Sequence, residues 1–246
     1  MKFIIKTFIT VYIGLLVSNL SSAVCHPEID LQKKQYIIGY GSLISEKSKR
    51  FTTPGVSNNF PVEITGFRRG WFHVIGTEIF LGTVEDPKNG LNAVIFSLDK
   101  PEQVKAFDER EINYCRKNVP ESKIKTLTQD KIDGEVWIYV TKSPEYLYGD
   151  DRGASIHASY LYTFLSGCLD IQKHFNLDSF LANCMTFTYG AIPQITYDVD
   201  RDDKIRKGRV IPIDSDMKVI NNHICSDRKL LSYLKKDLFL YKKICE

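Results

Sequence analysis

The apolar run at 36–38 breaks at once into the small residues of Gly39-Tyr40-Gly41-Ser42. An unbroken apolar run reads as a strand covered on both faces, and we place it at 36–40. The stretch 62–75 alternates at its start and carries a glycine, which predicts a strand with a bend or bulge. The runs 79–84 and 92–98 enclose Pro87, Asn89 and Gly90, and this turn chemistry predicts a hairpin between two strands. Further strands are expected at 124–127 and 134–140. Helical periodicity begins after Asp99, which reads as a cap with Pro101 in the first turn, and should run to about Glu111. A second helix is expected at 154–174, with Tyr160, Leu161, Phe164, Leu165 and Cys168 on one side, and a third after Asp178.

Strands come first and helices later, without regular βαβ alternation. This order favours an α+β fold with a curved, partly closed sheet. The region after 211 carries Leu230, Leu231 and Leu234 at helical spacing and reads as an appended helix. The expected organisation is a signal peptide at 1–23, a polar linker at 24–35, one domain at 36–210 and a C-terminal helical extension at 211–246.

The first 23 residues stand apart from the fold. Lys2 and Lys6 precede an apolar centre, and Ser21, Ser22 and Ala23 supply a small-residue cleavage point. This is the pattern of a secretory signal peptide, so a secreted or periplasmic protein is expected. The apolar centre is short for a spanning helix, and no other segment is long enough to span. An uncleaved anchor is the alternative. The net charge of +3, without a basic stripe, does not suggest nucleic acid as a partner. Cys25, Cys115, Cys168, Cys184, Cys225 and Cys245 form an even set, which permits disulfides in an exported protein. Cys225 and Cys245 flank the tail helix and are expected to pair. Cys168, at helical spacing with apolar neighbours, reads as a buried thiol.

Two places carry chemistry. The glycines of the 39–42 loop let a ligand approach the backbone, and successive N–H groups there can hold a carboxylate or an oxyanion. A plain strand-to-helix turn is the alternative. In Asp108-Glu109-Arg110-Glu111-Ile112-Asn113-Tyr114, the helical phase of Val104 and Phe107 carries Glu111 inward, while Glu109 points nearly opposite. Burial raises a carboxylate pKa, which suits a group that takes up and returns a proton. A structural pair of Glu111 with Arg68, Arg69 or Arg116 is the alternative. Tyr114 and Tyr139 are pocket candidates through their phenols, with ordinary packing as the alternative.

Together, Tyr40-Gly41-Ser42-Leu43 at the end of the first strand and Glu111 in its D-x-R-E-x-x-Y context resemble the gamma-glutamylcyclotransferase-like family. Gly66-Phe67-Arg68-Arg69 and Ala93-Val94-Ile95-Phe96 add to the likeness, which covers about residues 36–210. Leu43 stands where one subgroup carries asparagine. The segment from Asp198 to Arg209 is loosely similar to an N-D-R stretch of some relatives, with Asp200-Arg201 the best match and no function attached to it.

The resemblance implies a small mixed β-barrel with flanking helices. It also implies a reaction: the free α-amine of a γ-glutamyl group attacks its own γ-carbonyl, giving 5-oxoproline and a released amine or peptide. Glu111 would be the general acid and base, and Tyr40, Gly41, Ser42 and Leu43 would bind a small γ-glutamyl substrate. No metal or organic cofactor is required. Two other readings stay open. One is an exported protein that binds γ-glutamyl-type ligands without turnover. The other is a hydrolase using Ser42, although no G-x-S-x-G elbow surrounds that serine.

Overall fold

The structure is a computed structural model, and it describes residues 25–142, 153–190, 194–199, 208–235 and 237–246. The expected signal peptide and the Asp200-Arg201 pair lie outside the described residues.

A seven-stranded mixed sheet organises the molecule. Its strands are β1 (Gln35–Gly39), β2 (Phe60–Ile75), β3 (Glu78–Ser97), β4 (Tyr114–Asn118), β5 (Ile124–Thr126), β6 (Glu135–Thr141) and the short β8 (Thr188–Tyr189). The order is β4-β6-β1-β3-β2-β5, with β8 beside β2. The α+β class is as the sequence suggests. Among the described residues the sheet stays open, because β4 and β5 form separate edges, so it is not a closed barrel. A second pair, β7 (Ile156–His157) with β9 (Ile195–Thr196), forms its own small sheet, which a bridge between Ser155 and Glu78 joins to the start of β3.

β1 sits inside the sheet, parallel to β6 and antiparallel to β3. All five of its residues are buried. Its alternation divides two cores: Tyr36 and Ile38 enter the main one, while Ile37 packs with Val104 and Phe107 in the other. The chain therefore leaves β1 at Gly39 between two packed layers.

The hairpin expected around Pro87 and Gly90 is not formed. β3 is one strand of 20 residues paired with β2 almost throughout, from Phe60↔Ile95 to Ile75↔Glu78. The turn falls instead at Gly76-Thr77, where Gly76 takes a positive φ of 59°. Opposite Gly66, residues 86–89 form a bulge between Glu85 and Gly90, and Asp86 there meets Arg68 Nε at 3.3 Å. Turn residues mark a bulge here as readily as a chain reversal.

The expected helix before Glu111 divides into a 3-10 turn (Pro101–Gln103) and α2 (Val104–Arg110). Asp99 does not cap it; the Gln103 side chain instead accepts the Lys100 N–H at 3.1 Å. After the 3-10 turn Ser42–Ile44 comes α1 (Glu46–Thr52), whose N-terminus is capped by Ser45. The long helix α3 (Ala158–Phe175) covers the sheet and is followed by α4 (Phe180–Thr186). Gly167 brings α3 directly onto the chain at Ile44-Ser45: a Cβ there would lie 2.6 Å from the Ser45 nitrogen.

Cys168 is not a free thiol. It joins Cys184 and so ties α3 to α4, two elements whose facing cysteines are both fully buried. Cys25 joins Cys115 on β4, and the Cys25 carbonyl accepts the Arg116 N–H. Cys225 joins Cys245, as expected. The tail, however, is three helices rather than one: α5 (Asp214–Ser226), α6 (Arg228–Leu234) and α7 (Leu238–Cys245). Their Ile220, Ile224, Leu230, Leu234, Leu240 and Ile244 join the main core, and Tyr162 on α3 donates to Asn221 at 2.8 Å. Among the described residues, no helix is long and apolar enough to cross a membrane.

Candidate active site

A cavity of about 240 Å³ opens at the C-terminal end of β1. It is lined by the loop residues Tyr40, Gly41, Ser42 and Leu43 and by Glu111, the five positions singled out from the sequence. Tyr114 and Tyr139 line it too.

The loop is held from behind. Tyr40 donates through its hydroxyl to the Tyr139 carbonyl on β6 at 2.6 Å. The Tyr40 carbonyl accepts from Arg69 Nη1 at 3.2 Å. Arg69 is fully buried and has no carboxylate partner among the described residues; it donates to the Asn92 carbonyl and Oδ1, the Cys184 carbonyl and the Thr188 hydroxyl. Burial pulls its pKa down to about 9, yet the guanidinium stays charged at neutral pH. It ties β2, β3, the β1 loop and α4 together, so the loop is part of the packed core. Beyond Tyr40, the chain makes a 3-10 turn closed by Ile44 N–H to the Gly41 carbonyl at 3.0 Å. The first amides of such a turn have no carbonyl inside it to bond.

Glu111 follows directly on α2. The helix stops at Arg110, and Glu111 leaves it with φ −98° and ψ 31° while its N–H still bonds the Phe107 carbonyl. The carboxylate lines the cavity, with 16% of the side chain exposed. Burial pushes its pKa up, and Arg110 opposes that shift. Glu109 is exposed, as its helical phase suggests.

Neither Arg68, Arg69 nor Arg116 is the partner of Glu111. The partner is Arg110, whose Nε donates to Glu111 Oε1 at 3.1 Å. Its other nitrogens donate to the Ser48 carbonyl and hydroxyl, the Thr52 hydroxyl and the Ser42 hydroxyl. One guanidinium thus fastens the acid, the loop and α1. Arg116 pairs with Asp108 at 2.9 Å, and that carboxylate also accepts the Tyr139 hydroxyl at 2.7 Å.

The remaining wall is aromatic. Tyr114 donates to the Leu81 carbonyl at 2.9 Å, and the Leu81 N–H donates to the Tyr160 hydroxyl at 3.2 Å. Burial raises the pKa of Tyr40, Tyr114, Tyr139 and Tyr160, the last to about 12, so all four stay protonated. Tyr160 fixes the space beside Gly41: a Cβ there would stand 3.0 Å from its hydroxyl.

Arg110, Tyr160 and Arg209 are lining residues the sequence reading missed. Arg110 carried a signal, since it adjoins Glu111 in sequence. Tyr160 was hidden among the apolar residues of its helix, and Arg209 lies far along the chain in a segment without periodicity.

No protein-family model matches the sequence, and no curated protein matches it. Solved structures do. A gamma-glutamyl cyclotransferase matches at 13% identity and TM-score 0.49, over 70% of this chain and 98% of that one. An uncharacterised Homo sapiens protein matches at 14% identity and the same TM-score of 0.49, over 70% and 98%. The chain is similar to gamma-glutamyl cyclotransferases. A yeast cyclotransferase specific to glutathione is a more distant likeness, at 12% identity and TM-score 0.38, over 64% and 98%. Likenesses this remote leave the chemistry of the cavity to be argued from its own residues.

Proposed function

We propose that this protein cyclises γ-glutamyl compounds to 5-oxoproline with release of an amine or peptide, and that Glu111 moves the proton. The observation that carries the reading is the carboxylate of Glu111, enclosed in a small cavity beside the backbone of Gly41 to Leu43, with its pKa pushed up by burial. An ionised Glu111 takes a proton from the substrate's α-ammonium. The freed amine attacks the γ-carbonyl carbon, a nitrogen–carbon bond closes the five-membered ring, and the bond to the leaving nitrogen breaks. The proton held by Glu111 passes to that nitrogen, and the ring nitrogen gives up its second proton, which the released amine takes up as an ammonium, so the enzyme ends as it began. One group can serve both transfers because its pKa lies closer to neutrality than that of an ordinary carboxylate. The attack is intramolecular, so an enclosing cavity gains by holding the folded conformer. The amides at the start of the 3-10 turn can meet the α-carboxylate or the developing oxyanion.

Ser42 supports this reading better than it supports a hydrolase. Its hydroxyl accepts from Arg110 at 2.9 Å, and among the described lining residues there is no histidine to activate it. The proposal includes export to an oxidising compartment. Three disulfides, which use all six cysteines of the chain, support that setting.

The test is incubation of the purified protein with a panel of γ-glutamyl peptides and amines. The expected product is 5-oxoproline. Free glutamate would mean hydrolysis, and neither product would mean a binding protein.

A further inference from the structure

Glu111 sits in the connection 111–113 between α2 and β4. Its N–H bonds the Phe107 carbonyl at 2.8 Å, and its carbonyl accepts the Tyr114 N–H at 2.8 Å. α2 has only 7 residues, and a helix this short has little stability of its own. The end of the helix, and with it the acid, is therefore set by what holds its side chains. Arg110 ties it to α1 and to the loop at Ser42. Asp108 ties it to the sheet. Arg116 on β4 and Tyr139 on β6 are cross-strand partners, so their side chains stand together on one face. Both donate to Asp108 Oδ1, Arg116 through Nε at 2.9 Å and Tyr139 through its hydroxyl at 2.7 Å. The two donors are themselves fixed. The Arg116 guanidinium carbon lies 4.4 Å from the Trp137 ring centroid, and Nη2 donates to the Pro27 carbonyl at 2.7 Å. The Tyr139 carbonyl accepts the Tyr40 hydroxyl at 2.6 Å and the Thr83 hydroxyl at 3.1 Å.

We infer that Asp108 is a positioning residue for Glu111: held by Arg116 and Tyr139, it fixes the end of α2 against the sheet and so holds the connection that carries the acid. The inference rests on the cyclisation reading above. The Asp108–Arg116 pair joins a residue before Glu111 to a residue after it, and so bridges α2 and β4 across that connection. Tyr139 adds a neutral donor to the same oxygen. A carboxylate that takes one proton and delivers it to another nitrogen tolerates little displacement, since a shift of about 1 Å can cost a hundredfold in rate. The substrate loop is anchored separately, by the Tyr40 hydroxyl on the Tyr139 carbonyl and by Arg69 on the Tyr40 carbonyl. The Tyr139 hydroxyl and Asp108 take no part in that anchorage. Loosening their contact therefore lowers kcat and leaves KM near its wild-type value.

The test follows 5-oxoproline formation from γ-glutamyl-alanine by wild type, Tyr139→Phe, Asp108→Ala and the double variant. Near-ultraviolet circular dichroism at the assay temperature gives the folded fraction of each. Tyr139→Phe should lose about tenfold or more in kcat, with KM within about twofold of wild type and the protein fully folded. Asp108→Ala should lose at least as much. The double variant should lose no more than Asp108→Ala, because the hydroxyl acts through that carboxylate. Tyr139→Phe keeps the Asp108–Arg116 pair, so it decides the matter alone if Asp108→Ala does not fold. Wild-type kcat in Tyr139→Phe would overturn the inference and leave cyclisation standing. So would a raised KM at unchanged kcat, losses that multiply in the double variant, or a fall in kcat that only matches the loss of folded protein. Absence of 5-oxoproline with wild type on any γ-glutamyl substrate would overturn the cyclisation reading and this inference with it.

Discussion

Arg110 Nε donates to Glu111 Oε1 at 3.1 Å, so the acid in the cavity is paired with its own neighbour in sequence. The pair sits where α2 ends. Arg110 stabilises the charged form of Glu111 and burial disfavours it, and the net shift is upward. In this account Glu111 must be ionised to accept the first proton, so kcat/KM rises with pH through its pKa. Arg110→Met removes the opposing influence. The rising limb of the pH profile should move to higher pH, and Arg110→Lys should move it less. A limb unchanged in both variants would mean that Arg110 does not tune the acid.

Gly41 gives a steric prediction. A Cβ at this position meets the Tyr160 hydroxyl at 3.0 Å, and the branches of valine reach further into the cavity. Gly41→Val should abolish most 5-oxoproline formation while the far-ultraviolet circular dichroism stays near native. Gly41→Ala should lose less. Full activity in the valine variant would make the loop a turn and nothing more.

The disulfides predict both a pairing pattern and a stability. Non-reducing peptide mapping should recover Cys25–Cys115, Cys168–Cys184 and Cys225–Cys245. The second closes a sequence separation of 16 residues inside the core, and its removal as a Cys168→Ala/Cys184→Ala double variant should cost about 3 kcal/mol. Denaturant unfolding measures this. Free thiols at 168 and 184 in native protein, or an unchanged midpoint, would contradict the pairing.

β1 was legible because an apolar run ending in Gly-Tyr-Gly-Ser has few other uses, and its burial on both faces follows from its place inside the sheet. The phase of Val104 and Phe107 turns Glu111 inward, and the structure has it lining the cavity with its N–H still closing the last turn of that helix. The Pro87–Gly90 region misled because turn residues also build a bulge inside a long strand, and only the partner strand decides between them. Cys168 looked like a core thiol because the helical wheel shows its apolar neighbours and not Cys184 on the next helix. Tyr160 and Arg209 join the cavity through tertiary packing alone. They come from the start of α3 and from the segment before α5, and local patterning does not record that meeting.

The central claim is that the Glu111 carboxylate transfers the proton during ring closure. The most direct measurement is 5-oxoproline formation by Glu111→Gln beside Glu109→Gln. The first variant keeps size and hydrogen bonding but cannot carry the proton, and the second changes an exposed residue that does not line the cavity. Glu111→Gln should lose roughly a hundredfold or more, with the fold retained, while Glu109→Gln stays near wild type. Near-full 5-oxoproline production by Glu111→Gln would contradict the account and make the carboxylate structural.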